Sequence, residues 1–216
     1  MHLVGLKNKI LENITEPLQL EDCQDVIVRN PQISGGFHNI EMLNCQNCLI
    51  EGGFLTDPIP VEKNKNDYAS HNILFNNCKG CLAVGVRCHS KKPRGDSINC
   101  YQSDLCKIIN CIISGKFCKM ATACILGDGG SGDYNQIKNL KILSKGARIG
   151  IVGGKMNSVV DTKTTGPIEI TGQYYENSRI LKPTLIRVIA PELYIHTPTV
   201  SGLVQKNCKF KVINKG

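Results

Sequence analysis

The chain has 216 residues, 41% hydrophobic but only 5% aromatic, with no Trp, 21 Gly and 12 Cys. That length suits one domain with a sizeable core, but so few large side chains weigh against a sandwich or an α/β enzyme and fit a solenoid of narrow cross-section. A formal charge of +8 favours acidic partners such as anionic glycans, nucleic acid or a neighbouring subunit, and the lack of a dense basic run or an aromatic series argues against nucleic acid.

The first residues, Met1 to Lys7, carry neither an apolar h-region nor a small-residue cleavage site, so they do not read as a signal peptide, and no apolar stretch approaches a membrane span. The expectation is synthesis in the cytoplasm without a signal peptide, with delivery on a virion as one route outward. A repeat then begins: apolar, any, Asn-like, Cys, any, any, Cys or apolar, any, apolar. Its copies run Leu20 to Val28, Met42 to Ile50, Phe75 to Ala83 and Cys100 to Ile108. Weaker copies follow at Tyr134–Ile142 and Met156–Val159. Steps of about 20 to 35 residues are those of solenoid coils with loops of varied length.

Within a copy, Leu18 and Leu20 face one way, as do Val26 and Val28, the period-2 signature of half-buried strands. The polar pair between them marks a corner. A second corner follows at Asn30, Gly52, Gly85 or Asn110, residues that tolerate a left-handed backbone. Each unit thus reads strand, corner, strand, corner. Stacking about 4.8 Å apart predicts one column of Cys23, Cys45, Cys78, Ser103, Ile137 and Met156. A second holds Val26, Cys48, Cys81, Cys106, Leu140 and Val159. A third, Asp22, Asn44, Asn77 and Gln102, is positioned to hydrogen-bond along the stack. The expected fold is all-β, a single-stranded right-handed parallel β-helix over residues 1–216, with the clearest coils at 18–160 and less regular ones at 171–216.

These repeats resemble the loose Asn-Cys-x-x-Val-x-Ile pattern of the pectate-lyase-like right-handed β-helix superfamily. The segment Ala147 to Val159 is similar to a coil common in its bacterial and phage members, tailspikes and virion proteins among them. The resemblance covers most of residues 4–170. It specifies fold and leaves function open, because the superfamily includes lyases, hydrolases, epimerases, tailspikes and adhesins.

Cys45-x-x-Cys48 with Cys78-x-x-Cys81 is also a zinc-ribbon spacing. Apolar residues replace these cysteines freely in other copies, which favours buried packing as small hydrophobes and free thiols. No metal and no cofactor are expected. Three insertions, Phe54–Asn72, Cys88–Ser97 and Lys116–Asp133, leave at what reads as one corner and would rim one lateral surface. They nominate a ligand-binding rim of Tyr68, His71, His89, Arg94, Asp96, Asp128, Asp133 and Tyr134. Gly127 to Asp133 resembles a calcium turn of repeat toxins but occurs once, and a flexible corner is the preferred reading.

The superfamily resemblance implies, for a lyase, Arg or Lys as base with acidic residues for calcium, parts that Arg94 with Asp96, or His89, could fill. A hydrolase needs clustered carboxylates on the strand face, and Asp104 reads as isolated at a corner. The remaining histidines, His2, His38 and His196, show no metal spacing. Nothing marks catalysis, and catalytic residues are left unassigned.

The first coil starts near Met1, and Cys208 to Val212 still reads as a strand, so both ends look uncapped and invite pairing. The expected function is a non-catalytic virion or surface β-helix that contacts glycans or neighbouring subunits, as a homo-oligomer with a trimer favoured. The alternatives are a polysaccharide lyase or related carbohydrate-active enzyme on an acidic glycan, and a cytosolic protein-interaction β-helix.

Overall fold

The computed structural model describes residues 1–59, 62–64, 67–68, 70–117, 121–173, 175 and 178–215. It is a parallel β-helix. Among these residues, ten strands form one long parallel sheet, starting at His2–Val4, Leu18–Glu21, His38–Leu43, His71–Asn76, Ile98–Tyr101 and Cys124–Asp128 and ending at Lys209–Lys215. A second parallel sheet of nine runs from Ile10–Glu12 to Val204–Lys206. A single short 3₁₀ turn, Thr197–Thr199, is the only helix described.

The repeat anticipated two strands per coil, and the structure has a third. Gln32–Ser34, Phe54–Thr56, Arg87–Arg94, Ile112–Phe117 and Lys141–Ile142 form a five-stranded sheet. Among the described residues each contributes one buried apolar residue, Ile33, Leu55, Cys88, Ile113 and Ile142, paired in register. Bridges through Lys163 to Ile189 carry this third face onward.

In the long sheet, Leu18, Ile40, Ile73, Ile98 and Cys124 stack as one inward column, and Leu20, Met42, Phe75, Cys100 and Leu126 as another. All are almost fully buried, and each large apolar side chain stabilises the fold by roughly 1.5–3 kcal/mol relative to exposure. The narrow core has room for one or two such columns per face, hence the scarcity of aromatics.

The anticipated corners are present. Asn30, Gly52, Gly85 and Asn110 have φ of 49°, 64°, 68° and 56°. The polar column also forms: Asn44 Nδ2 donates to Asp22 Oδ1 at 3.2 Å, and Asn77 Nδ2 to Asn44 Oδ1 at 2.8 Å. An amide is suited to this ladder because it donates one way and accepts the other.

Among the described residues the thiols are free and, apart from half-buried Cys208, buried. Cys45 Sγ donates to Leu20 O and Leu43 O, both at 3.4 Å, and Cys111 to Ala83 O at 3.5 Å. Ser103 Oγ makes the same bonds, to Phe75 O at 3.1 Å and Tyr101 O at 2.8 Å. A small side chain with a weak donor fills the corner and serves its carbonyls at once. Alkylation of the native protein is therefore expected to label half-buried Cys208 before any other thiol among the described residues. The thiols at 23, 45, 48, 78, 81 and 106 should react only in denaturant, and rapid native labelling of Cys45 or Cys78 would contradict this packing.

The columns slip after Ser103. Ile137 pairs with Ile108 and Val159 with Ile137, so Asn135, which takes the Cys106 N–H at 2.9 Å, follows Cys106. Leu140 continues from Cys111, since Lys141 pairs with Ile112. Met156 is a left-handed corner residue, φ 52°, and 47% exposed. The glycine-rich stretch 129–132 replaces one corner and displaces the apparent repeat.

Candidate functional site on the outer face of the long sheet

The insertion read as Lys116–Asp133 is not one loop, because it contains the strand Cys124–Asp128. The connections from Phe54–Thr56 to His71–Asn76, from Arg87–Arg94 to Ile98–Tyr101 and from Ile112–Phe117 to Cys124–Asp128 do share the corner between the third and long sheets. Asp128, Asp133 and Tyr134 lie across the long sheet at its other edge.

Strand pleating alternates side chains between the two faces. Between inward Ile98 and Cys100, Asn99 points outward, next to Leu74 of the preceding coil. Yet Asn99 is only 3% exposed and Leu74 8%. On the following coil a register shift between Cys100 and Tyr101 pairs Tyr101 with Asp128. Gly127, at φ +70°, supplies this bulge, and a bulge re-aims the side chain that follows it. Asp128 Oδ2 then accepts from Asn99 Nδ2 at 2.6 Å.

The second amide hydrogen of Asn99 points to His71 Nε2 at 3.4 Å. His71 is 8% exposed, and its backbone N–H donates to His38 Nδ1 at 3.2 Å. His38 Nδ1 must therefore carry a lone pair, which leaves the His71 Nδ1–H, also 3.2 Å away, to donate to it. His71 Nε2 is then the acceptor that Asn99 requires. Asp96 Oδ2 lies 3.8 Å from the same nitrogen, while Asp96 Oδ1 accepts from the Thr122 N–H at 2.6 Å and Oγ1–H at 2.9 Å.

At the other end, Asp128 Oδ1 accepts from the Gly129 N–H at 2.9 Å and from the Tyr175 hydroxyl. Burial, reinforced by Asp128, raises the Tyr175 hydroxyl above its ordinary range, so it remains a donor. Tyr101 and Tyr175 flank the turn at Gly129 and Gly130. One acceptor has no partner in this network: Asn99 Oδ1, fully buried. An unmet buried carbonyl costs about 1–3 kcal/mol.

Of the eight residues nominated from sequence, His71, Asp96 and Asp128 come together. His89 is on the third sheet, with Nδ1 2.9 Å from Ser114 Oγ. Asp133 bridges coils, its N–H donating to Asp104 Oδ1 and its Oδ1 accepting from the Lys155 N–H, both at 2.7 Å. Asp104 is accordingly not isolated. Tyr134 is a left-handed corner residue, half exposed. Tyr68 is in a two-stranded hairpin with Glu62–Asn64, and the Arg94 backbone pairs with Phe117; the side chains of both lie outside the described residues. Asn99, His38 and Tyr175 were missed.

Among the described residues no group of three or more His, Cys, Asp or Glu side chains could hold a metal ion. The carboxylate oxygens of Asp128 are taken by protein donors, which explains the 127–133 segment as a structural clamp. No described helix is long and apolar enough to cross a membrane. Fold and site together define a parallel β-helix protein with a polar, tyrosine-flanked patch on its longest sheet. No protein-family model matches the chain, and a search of curated proteins returned no match.

Proposed function

We propose that this chain is a non-catalytic surface or virion β-helix, related to the pectate-lyase-like superfamily, that binds a glycan across the outer face of its long sheet. It would be made in the cytoplasm and carried outward on a particle. The polar cluster of Asp96, His71, Asn99 and Asp128 carries this reading. Its partly exposed groups, Asp96 and Asp128 with Tyr101 and Tyr175 at one end, are the mixture suited to a polyhydroxylated ring. This reading sets the ligand on the strand face, where the sequence suggested the loop rim.

Glycan-array screening followed by calorimetric titration tests it. Asn99→Ala is expected to weaken binding about tenfold or more and also to lower thermal stability, because Asp128 Oδ2 and His71 Nε2 lose the amide that donates to them. Arg94→Ala separates the two locations. A loss with Arg94→Ala and none with Asn99→Ala would return the ligand to the rim and sink the strand-face reading, as would the absence of any glycan binding.

The 3.8 Å approach of Asp96 to His71 supports a second reading, a carbohydrate-active enzyme using His71 in proton transfer. Release of new reducing ends or unsaturated products from the bound glycan, abolished by His71→Ala, would replace the non-catalytic reading with this one.

A further inference from the structure

The outer side of the nine-stranded sheet differs from that of the long sheet. One outward column reads Ile10, Ile27, Leu49, Leu82, then Lys107, Gln136, Ser158 and Thr184. The next reads Glu12, Arg29, Glu51, Val84, Ile109, Lys138, Val160 and Ile186. Leu49, Leu82, Val84 and Ile109 are partly exposed and make a continuous apolar band at mid-height. The charges flanking this band are segregated. On the N-terminal side Arg29 is held between Glu12 at 2.8 Å and Glu51 at 3.1 Å, which leaves an excess negative charge. On the C-terminal side Lys107 and Lys138 are exposed.

We infer that this face is a self-association surface whose partner is a second copy of the chain, related by a twofold axis parallel to the strands. Such an axis reverses the order of coils and keeps position along the strand. Placed between Leu82–Val84 and Lys107–Ile109, it sets Val84 of one copy on Ile109 of the other and Glu51 on Lys138. The same axis sets Leu82 on the aliphatic stem of Lys107 and Leu49 on Gln136, so apolar pairing is confined to Val84 and Ile109 while opposite charges meet on both sides, in the isologous manner. A threefold arrangement gives no such pairing of Glu51 with Lys138. The glycan reading is independent of this one, because the long sheet's outer face stays open.

The face is small. Strands about 4.8 Å apart and three residues long give roughly 400 Å² per copy, about half of a standard interface, so the pairing is weak. Sedimentation velocity on the full chain, from about 1 μM to several hundred μM, is expected to show a monomer passing to a dimer with Kd of tens to hundreds of μM. Val84→Asp should weaken this at least tenfold. Glu51→Lys should weaken it too, and adding Lys138→Glu should restore it. Because the charge variants alter exposed side chains, they decide the matter even if Val84→Asp misfolds. A monomer throughout, a trimer, or a dimer insensitive to Glu51→Lys would overturn the proposal.

Discussion

Raising the pH above about 9 is expected to strip this protein of stability, by several kcal/mol before pH 11, with reductant present throughout. Burial holds the Cys100 and Cys124 thiols well above their ordinary range and pushes Cys111 up to about 11. In the unfolded chain the same thiols ionise near 9. Above that pH the unfolded state has lost protons that the folded state keeps, so stability is complete below about 9 and falls as pH rises. Each such group contributes a slope of about 1.4 kcal/mol per pH unit, and Cys111 alone roughly 3 kcal/mol between pH 9 and 11. Three together are large against a typical total of about 5–15 kcal/mol. Urea titrations at half-unit pH steps give the slope directly. Replacing all three by Val should make it shallower, leaving the share of other buried thiols such as Cys78 and Cys106, which are also held above their ordinary range. An unchanged slope in that variant, or no fall in the parent, would show that the thiols are not desolvated as described.

Gly154→Ala is expected to be among the most damaging single methyl additions in the molecule. Gly154 has φ +79°, and a Cβ there would lie 1.9 Å from the backbone oxygen of Gly132 on the preceding coil. Backbone strain and overpacking together cost about 3–5 kcal/mol. Gly146 is the control, with φ +70° but nothing within 4 Å of its added Cβ. Gly146→Ala pays only the left-handed cost, roughly 1–2 kcal/mol. Chemical denaturation of the two variants isolates the effect of close approach, and equal losses would remove the claim that glycines let these coils touch.

The parts of this fold visible in the sequence were those where one residue type answers one geometric demand. Asn or Gly at Asn30, Gly52, Gly85 and Asn110 answered a left-handed corner, and Cys23, Cys45 and Cys78 a small buried space beside carbonyls. The third sheet was invisible because each of its strands buries a single described apolar residue. Ile33, between Gln32 and Ser34, looks like loop, and Phe54-Leu55-Thr56, just after Gly52-Gly53, reads as the start of an insertion. The columns beyond Ser103 slipped because Gly129–Gly132 substitutes for a corner without resembling one.

The site was only half legible for a different reason. His71, Asp96 and Asp128 stood out as titratable groups, but their neighbours are set by stacking. Asn99 lies 28 residues from His71 and 29 from Asp128, and in sequence it is one more outward polar residue between Ile98 and Cys100. An amide between two core residues, one coil after a histidine at the start of its strand, was the available signal.

Equivalent residues on successive coils are separated by 22, 33, 25, 29 and 22 positions along the chain, yet each coil climbs one strand spacing. Length in sequence and height in space are thus uncoupled, since surplus residues leave through a corner and return to the same rung. For protein engineering this makes the corner after Phe54–Thr56, which already absorbs the longest excursion, a natural port for grafting foreign peptides. A guest inserted there would lengthen the chain without adding a rung or moving the register of the coils above and below it.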